Sequence, residues 1–488
     1  MRNFQFLSAD RRINFQWGNK KTGQEGFSIV YLVVAIFIFS LVLLSILQYA
    51  TTQLKIVRST ANREQAFQIA EAGINYYQWH LAHFSTDYWD GNASTTPGPY
   101  IHDYTDFDQQ TVLGKFEITV TPPAVGSTLV TIKSKGYTIS NPKQSRTITV
   151  RYGVPSLAKY GFLTNENVWI GQDENISGQM HANGGIRFDG TGNAPISSAK
   201  PTYSCPSWSG YPCPTTKPGI WGAAVASTQT FWQYPVPSII FSSMTSDLNN
   251  MKSLATTDGA PAYLGPSNNK GYSLVFNANG TVDIYIVKRL TAAPSNTFDV
   301  NGVPVNQSID YDSNPAQRQL IYNDAPIPAH GIFFLQDHVW VEGTVKGRVT
   351  VVAAIPGATS KYPNIIIPNN ILYTTGDGSD TLGLIAQGNV LVAYNAPTNL
   401  TVNAAMIAQN GSIQVYYYAN GTNIKSSITV NGSLASYGLW TWTYVSGSTV
   451  VSGFRNTFTN YDGNLLYSPP PSFPLSTDGY QQISWTSD

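Results

Sequence analysis

The stretch "GFSIVYLVVAIFIFSLVLLSILQYATTQL" occupies residues 26–54 and contains no charged side chain. Its most apolar part, residues 29–49, has the roughly 20 residues that a helix needs to cross the hydrocarbon core of a bilayer. A secretory signal peptide has a shorter apolar core of about 7–15 residues, followed by a small-residue cleavage site. The stretch therefore predicts a transmembrane helix, and a plain signal anchor without any assembly role fits the same pattern.

The charges around this span predict its orientation. The basic residues that precede it are Arg2, Arg11, Arg12, Lys20 and Lys21. Positive charge is retained in the cytoplasm, so we expect the N-terminus inside and the bulk of the chain outside. Basic residues also follow the span and weaken this bias: Lys55, Arg58 and Arg63. We predict a single-pass protein of the inner (cytoplasmic) membrane whose bulk is extracytoplasmic or at the cell surface.

The overall composition agrees with that location. Only 11% of the 488 residues are charged and the net charge is zero, whereas about a quarter of the residues of an ordinary soluble domain are charged. Nucleic-acid binding requires clustered positive charge to displace counterions. The sequence therefore predicts a weakly charged extracytoplasmic β-rich protein with no nucleic-acid partner.

The helical pattern continues beyond the span through "TTQLKIVRSTANREQAFQIAEAGINYYQWHLAHF" (51–84), which contains no proline. Its apolar residues Ala66, Ala70, Ile74, Tyr77 and Leu81 are spaced by four, four, three and four, which places them on one helix face. One continuous helix from about residue 27 to residue 84 would be roughly 85 Å long. We expect half of it in lipid and half carrying a soluble domain.

The junction "KKTGQEGFSIVYLVVAIF" (20–37) resembles the type III signal of type IV pilins and pseudopilins. The resemblance implies that a prepilin peptidase cleaves between Gly26 and Phe27 and that the new Phe27 amine is methylated. "REQAFQIAEAGINYYQWHL" (63–81) resembles PilX-type proteins, and its small residues would allow close helix packing. The fifth mature position, usually Glu in the family, is Tyr31 here. This departure favours a minor or tip subunit, and it leaves room for a protein that is never assembled into a filament.

Three alternating segments follow the helix, at 115–121, 127–137 and 144–153. Apolar and polar residues alternate in them, as in half-buried strands. They predict a small antiparallel sheet packed on the stalk helix. This sheet would complete a pilin-like domain over residues 27–153, after a cytoplasmic leader over residues 1–26.

The rest of the chain, 154–488, contains similar segments at short spacing. "LIAQGNVLVAY" (384–394) recurs as "MIAQNGSIQVYY" (406–417), and "ITVNGSLASYG" (428–438) is a looser third copy. A period of 20–25 residues with Gly and Asn turns predicts a right-handed parallel β-helix. A β-sandwich is the alternative, because its strands are also closely spaced. The predicted fold class is α+β, with the β-helix interrupted by an insertion over about 192–330 that holds a short helix (242–255) and a hairpin (272–287).

Segments 167–188, 338–438 and 454–485 resemble a domain of unassigned function that follows PilX-like N-termini in other bacteria. This resemblance names an architecture and no activity. The insertion also holds Cys205 and Cys213, eight residues apart in a loop rich in Pro, Gly and Ser. We predict a disulfide in an oxidising compartment, with two free thiols as the alternative; the spacing is not that of a zinc site.

The candidate metal sites in the sequence are weak. His80 and His83 are three residues apart on the stalk helix and could share a metal, but no third ligand is evident, so we expect solvent-facing histidines. The acidic stretches 102–108 and 376–380 are weak Ca²⁺ candidates, and a polar loop and an Asp/Gly turn are favoured there. The sequence predicts no metal and no cofactor.

Parallel β-helices can host polysaccharide lyases and hydrolases, which need clustered carboxylates or a carboxylate beside Arg or Lys. The repeat region 381–438 contains no Asp or Glu and one Lys, Lys425. Candidate groups elsewhere are Asp173, Glu174 and Asp189, or Glu342 with Arg348. We predict no catalytic residues and a protein that is not an enzyme.

The leading hypothesis is a minor pilin or pseudopilin that displays a large β-rich head. Its partners would be pilin or pseudopilin subunits through the N-terminal helix, the prepilin peptidase and the membrane. The alternative is a membrane-anchored adhesin or carbohydrate-binding protein whose "WTWTY" aromatics (440–444) stack on a surface glycan, unless they are buried in the β core. A β-helix polysaccharide lyase or hydrolase is the third hypothesis.

Overall fold

The computed structural model describes residues 27–94, 96, 98–106, 111–123, 127–241, 244–419, 423–447, 449–476 and 479–488. A 57-residue helix, α1 (Phe27–His83), is followed by a mostly β structure. The predicted leader, residues 1–26 including Gly26, lies outside the described residues.

The first sheet is antiparallel and lies against the second half of α1. Its strands are β1 (Tyr100–Thr105), β2 (Val112–Thr121), β3 (Val130–Thr138) and β4 (Ser145–Gly153), paired in that order. Strands β2 to β4 coincide with the three alternating segments, so that prediction is confirmed. Strand β1 was not predicted, because its sequence "YIHDYT" is too polar to stand out.

The core between α1 and this sheet is formed by the predicted helix face. Ala66, Ala70, Ile74, Tyr77 and Leu81 are all buried, so the spacing argument is confirmed. Their partners are alternate residues of the strands: Phe116, Ile118, Val130, Ile132, Ile148 and Val150. The helix is thus held by apolar burial along one stripe.

Glycines bring α1 and β3 into backbone contact. A Cβ on Gly136 of β3 would overlap the carbonyl oxygen of Ala66 and the nitrogen of Ala70. A Cβ on Gly73 of α1 would overlap the side chain of Ser134 and lie 2.8 Å from a ring atom of Phe116. The small residues of the "AEAG" region therefore serve close packing of α1 on the sheet of the same chain.

The strands of the β-rich part follow in chain order. Between Gly153 and α3 they are β5 (Tyr160–Thr164), β6 (Val168–Ile170), β7 (Asn175–Ile176), β8 (Gln179–Ala182), β9 (Ile186–Phe188), β10 (Thr191–Gly192), β11 (Ile196–Ser198), β12 (Thr202–Ser204), β13 (Thr216–Pro218), β14 (Ile220–Trp221) and β15 (Trp232–Gln233). The helices here are α2 (Ala226–Gln229) and α3 (Met244–Asp258).

Strands beyond α3 complete the chain. They are β16 (Tyr263–Leu264), β17 (Gly271–Asn277), β18 (Thr281–Val287), β19 (Thr297–Phe298), β20 (Arg318–Pro326), β21 (Ile332–Leu335), β22 (Val339–Val345), β23 (Arg348–Ala353), β24 (Ile365–Ile367), β25 (Ile371–Tyr373), β26 (Thr381–Ala386), β27 (Val390–Val392), β28 (Asn399–Ala408), β29 (Ile413–Val415), β30 (Tyr417–Tyr418), β31 (Ile424–Ser436), β32 (Thr443–Ser446), β33 (Thr449–Tyr461) and β34 (Gln481–Ser487). Short 3-10 helices cover Leu157–Lys159, Ser207–Ser209, Pro315–Gln317 and Gly463–Leu466.

Most strands of the β-rich part pair in parallel, in three ladders. The first ladder runs β16, β21, β23, β26, β28, β31, β5, β8, β11, β15. The second runs β17, β22, β24, β27, β29. The third runs β22, β25, β28, β31, β33, β7, β10. Strands β6, β9 and β14 form a separate parallel sheet.

The order of the first ladder differs from chain order. Leu434 of β31 pairs with Phe162 of β5, so the strands of residues 160–233 stack beyond the strands of residues 332–436. The chain then passes through α3 to reach β16 at the opposite end. A pairing between residues so far apart in sequence leaves no local repeat to reveal it.

The register confirms one predicted repeat and corrects the other. Leu384 pairs with Met406, the expected offset of 22 residues. Met406 then pairs with Leu434, 28 residues further on, and not with Ile428 as the looser third copy predicted. The additional residues include β30, which leaves the ladder and pairs with β19.

Both faces of the first ladder are covered, which explains its continuous apolar runs. One face contributes to the large core enclosed by the ladders. On the other face, Leu248, Met251 and Ala255 of α3 belong to a second apolar cluster with Phe334, Val352 and Ile385. Helix α3, expected over residues 242–255, therefore shields part of this ladder from solvent, and Leu157, Phe241, Leu465 and Phe473 belong to the same cluster.

The segment predicted as an insertion, 192–330, contributes strands to the same ladders. Strands β11 and β15 extend the first ladder, and β17 extends the second. The predicted hairpin is formed by β17 and β18, which pair antiparallel around a turn in which Gly280 has a φ of 94°. That positive φ explains the glycine.

The last strand, β34, returns to the first sheet. It pairs antiparallel with β4 and gives the five-stranded order β1-β2-β3-β4-β34. The β-rich part is therefore inserted between two neighbouring strands of the stalk sheet. The sequence analysis did not predict this closure.

Candidate membrane anchor and head surface

The first half of α1 is an unpacked apolar rod. Its residues 29–57 are exposed, and the helix meets the sheet at Ser59, whose Oγ accepts a hydrogen bond from Gln144 Nε2 at 2.6 Å. Among the described residues, α1 is the one helix long and apolar enough to cross a membrane, and none of its apolar window is buried in the molecule.

Two serine hydroxyl groups in the middle of this rod are satisfied within the helix. Ser40 donates to the carbonyl of Ile36 and Ser45 donates to the carbonyl of Leu41, each at 2.8 Å. Such i−4 bonds remove the need for water at polar side chains in an apolar solvent. The serines are therefore compatible with lipid on all sides of the rod.

The predicted processing site is described in part by the structure. Phe27 is the first residue of α1, and Gly26 lies outside the described residues. Tyr31, at the position where the family usually has Glu, is exposed on the rod.

The cysteine loop projects from the β-rich part on a small hairpin of β12 and β13. Cys205 and Cys213 are joined in the structure, with Cα atoms 5.5 Å apart. The backbone closes the loop further, because Cys205 N donates to Thr215 O and Cys213 N donates to Gly210 O, both at 2.9 Å.

A partly buried cluster around Arg187 holds the same loop. Arg187 donates from Nη1 to the carbonyl oxygens of Ser209 and Tyr211. Its guanidinium lies 4.8 Å and 5.0 Å from the ring centroids of Trp169 and Trp221. Sequence reasoning missed this cluster; the tryptophans of 169 and 221 are 52 residues apart, and only the stacking of β6, β9 and β14 brings them together.

Asp189 completes that cluster. Its Oδ2 accepts from Arg187 Nε at 2.7 Å and from Trp169 Nε1 at 2.8 Å, and its Oδ1 accepts from Ala223 N at 2.8 Å. These bonds employ both carboxylate oxygens in positioning Arg187. The arrangement explains Asp189 as a structural residue.

The histidine prediction is wrong for His80. This residue is buried, lies 3.1 Å from Asp87 Oδ2, and packs against Tyr77 and Phe84. The cause is the loop that follows α1, since Phe84 and Asp87 of that loop cover His80. His83 is exposed and contacts the Trp79 carbonyl. Over the described part of the chain, no group of three or more His, Cys, Asp or Glu residues could hold a metal ion.

The acidic stretch 376–380 forms a polar turn, as expected, whereas residues 102–105 of the other stretch belong to strand β1 and not to a loop. Asp377 accepts hydrogen bonds from the Ser379 hydroxyl and backbone, which lower the pKa of its carboxyl to about 2. Asp380 accepts from Gly347 N and Thr374 Oγ1. In the other stretch, Asp103 pairs with Lys115 at 2.7 Å, and Asp108 lies outside the described residues.

The remaining candidate catalytic groups have separate partners. Burial raises the pKa of Glu174, which accepts a hydrogen bond from the Thr457 hydroxyl. Glu342 accepts from the Tyr311 hydroxyl at 2.7 Å. Arg348 donates to the carbonyl oxygens of Ser468 and Pro469. Arg348 thus fastens the C-terminal segment to β23.

The aromatic residues of "WTWTY" belong to the core. Trp442 is buried, and its ring meets Trp440 at 6.2 Å; Trp440 in turn packs edge-on against Phe162 at 5.0 Å. The Tyr444 hydroxyl donates to Val415 O. Of the two readings that the sequence left open for these residues, core packing is the one observed.

No family model matches the sequence, and no curated protein matches it. Among solved structures, the crystal structure of the competence-associated pilin ComZ from Thermus thermophilus aligns with 88% of this chain and 97% of its own. The sequence identity is 14% and the TM-score is 0.30. A similarity this low does not establish a shared fold.

Proposed function

We propose that this protein is a minor pilin or pseudopilin-like subunit of a type IV pilus or related machine. The observation that carries the proposal is α1 itself. One half of the helix is an exposed apolar rod of membrane-spanning length, and the other half is packed on an antiparallel sheet. A plain signal anchor has no need for the same helix to continue into the folded part.

The proposal includes the leader and the topology. Residues 1–26 form a cytoplasmic leader that a prepilin peptidase removes after Gly26, and Phe27 is then N-methylated. Residues 27–153 form the pilin-like stalk, and residues 154–488 form the head outside the inner membrane. Support comes from the junction sequence and from the start of α1 at Phe27.

We propose that the head is a right-handed parallel β-helix. The three parallel ladders support this, since a turn of chain such as β23, β24 and β25 supplies one strand to each ladder. Sandwich folds are built from antiparallel strands, so they account less well for these ladders.

The proposed role is structural and without catalysis. The candidate acidic and basic groups hold turns, loops and ladder ends, as described for Asp189, Glu342 and Arg348. A minor or tip position is favoured because a head of this size obstructs regular packing, and because Tyr31 replaces the Glu that pilins usually carry. The partners are other pilin subunits through the exposed rod.

The test is the distribution of the protein between membranes and sheared surface filaments of a host that assembles such pili. We expect wild type and Gly23→Ala in the filament fraction, and Gly26→Ala only in the membrane. Gly23→Ala is the matched control because it alters the same leader three residues away. Wild-type protein confined to membranes would contradict filament assembly.

A further inference from the structure

A long polar groove runs along the outer edge of the first ladder. It consists of two adjoining hollows of about 620 Å³ and 700 Å³, which share Glu166, Asn167 and Tyr437 in their linings. Neither hollow involves α1 or the stalk sheet. The groove therefore belongs entirely to the head.

The floor of the groove is made of turns that follow successive strands of the ladder. In spatial order, these turns contribute Asn364, Asn389, Ser412, Gly438, Asn167, Gly184 and Lys200. Neighbouring strands lie about 4.8 Å apart, so seven levels extend over roughly 29 Å. The shape suits an extended polymer better than a compact metabolite.

Carboxamides recur along this floor and are fixed by the backbone. Asn364 Oδ1 accepts from Asn389 N, and Asn389 Oδ1 accepts from Ser412 N, both at 2.8 Å. Asn167 Oδ1 accepts from Gly185 N at 2.7 Å. These bonds hold the amide groups in a regular row, so a ligand that follows the turns meets a hydrogen-bonding amide at several levels.

Two aromatic side chains stand at the groove. Trp208 is 46% exposed and Tyr437 is 41% exposed. Trp208 lies within the disulfide loop, which Cys205–Cys213 and Arg187 hold in place. An aromatic ring with an apolar face and a fixed position is suited to a ligand with both apolar and polar surface.

The charge and geometry of the groove indicate which class of polymer it can bind. The charged side chains in its lining are Glu166, Lys200 and Lys361, too few for a nucleic acid or a polyanion. A peptide that adds a strand needs an open sheet edge, whereas the ladder strands here are paired on both sides. A neutral polymer rich in hydroxyl groups requires neither clustered charge nor an open sheet edge, so it fits this groove.

We propose that this groove binds a linear, neutral polysaccharide. Trp208 and Tyr437 stack against sugar rings, and the row of carboxamides hydrogen-bonds the hydroxyl groups. The cysteine loop thereby acquires a function, since it positions Trp208. Polysaccharide binding by this groove goes beyond the proposed pilin-like role and does not depend on leader processing. The binding proposal and the pilin-like proposal can therefore fail independently.

The test is isothermal titration of the full chain in lauryldimethylamine oxide, a detergent without a sugar headgroup. The probes are cellohexaose, maltohexaose and chitohexaose, with hexagalacturonate as the charged comparison. We expect at least one neutral hexasaccharide to bind, and hexagalacturonate to bind more weakly.

Two single variants locate the site. Trp208→Ala should weaken the binding at least about tenfold, as expected for a central aromatic contact. Tyr211→Ala should stay within about twofold of wild type, because Tyr211 is in the same loop, is 93% exposed, and is not part of the groove lining. Thermal unfolding of the two variants controls for folding.

The Cys205→Ser/Cys213→Ser double variant should also weaken binding, because it releases the loop that carries Trp208. The proposal is overturned if no neutral hexasaccharide binds, if hexagalacturonate binds best, or if Trp208→Ala and Tyr211→Ala have equal effects.

Discussion

Gly136 shows how a single residue sets the distance between the stalk helix and its sheet. The backbone of β3 passes so close to α1 that any side chain at this position would collide with the Ala66 carbonyl. The collision is with backbone atoms, which cannot rotate away as a flexible side chain can. The short distance between α1 and β3 therefore explains why residues 66, 70 and 73 are all small.

Replacement of Gly136 by Ala should push α1 away from β3 and destabilise the stalk by about 1–3 kcal/mol. Hydrogen exchange of the β3 amides measures this locally, and the expected result is faster exchange there than in wild type. Gly265→Ala is the control, because a Cβ at Gly265 meets nothing within 4 Å. Unchanged exchange in β3 would contradict the proposed close contact.

Glu174 makes the stability of the head depend on pH. Burial raises the pKa of its carboxyl, and the charge of Asp173 adds to the rise. A raised pKa means that the folded state binds the proton more tightly than the unfolded state. The stabilisation is therefore complete below the ordinary pKa of 4.5 and is lost as the pH rises through the elevated value.

Glu174→Gln should accordingly unfold at a higher temperature than wild type at pH 7, with a smaller difference below pH 4.5. The measurement is a thermal unfolding series across that range. Asp173→Asn, which alters the exposed neighbour, should give a smaller effect. A Glu174→Gln variant less stable than wild type at neutral pH would show that the ionised carboxylate contributes more through Thr457 than burial costs.

At the scale of elements, α1 combines two environments in one continuous helix. Its first half packs against no other part of the described chain, and Ser40 and Ser45 donate their hydroxyl groups to carbonyls within the helix. Its second half buries one stripe on β2, β3 and β4. The two halves differ in what surrounds them and share the same backbone hydrogen bonding, so no break is required between them.

A charge at the centre of the rod should oppose membrane insertion. Phe39→Arg places a guanidinium near mid-bilayer, at a cost of about 2.5–3.5 kcal/mol on insertion scales. We expect a lower membrane-integrated fraction, measured by carbonate extraction. Gln53→Arg, on the same helix beyond the apolar span, is the matched control and should insert normally. Equal extraction of both variants would contradict a span over residues 29–49.

Elements with a local signal could be predicted from the sequence. The helix face of Ala66 to Leu81, the strands β2 to β4 and the hairpin of β17 and β18 all follow from periodicity or turn residues. The 22-residue offset of Leu384 and Met406 was visible as a repeat. Strand β34 was missed, because its exposed edge position removes the apolar alternation that marks a strand.

At the scale of the molecule, the head is attached to the stalk sheet at two points, through β4 and through β34. Contacts near the second point reinforce it. The Tyr480 hydroxyl donates to Ser85 O at 2.8 Å, and the ring of Trp485 lies 5.8 Å from that of Phe67. Two connections restrain the head more than a single linker can.

Deletion of residues 481–488 should leave the head folded and loosen its attachment. We expect faster proteolysis in the connection around residues 154–156 and faster hydrogen exchange in β4, whose edge would be exposed. Gln482→Ala, an exposed change within β34, should behave as wild type. Unchanged protection of β4 after the deletion would mean that β34 contributes little.

Long-range order is the part of the structure that the sequence could not predict. The pairing of Leu434 with Phe162 places the strands of residues 160–233 beyond those of residues 332–436, and it also joins the two hollows of the groove. The Arg187 cluster likewise arises from long-range stacking, that of β6, β9 and β14. Sites of this kind are built from residues that no spacing rule connects, whereas the apolar stretch predicted to span the membrane is contiguous in sequence.

The proposed pilin-like function depends on cleavage between Gly26 and Phe27. The most direct test is the N-terminal sequence of the membrane-extracted protein by mass spectrometry, in wild type and in Gly26→Ala. We predict an N-methylated Phe27 in wild type and an uncleaved leader in the variant. An intact leader in the wild-type protein, with normal membrane insertion, would contradict the pilin-like account and leave a permanent anchor that carries a β-rich head.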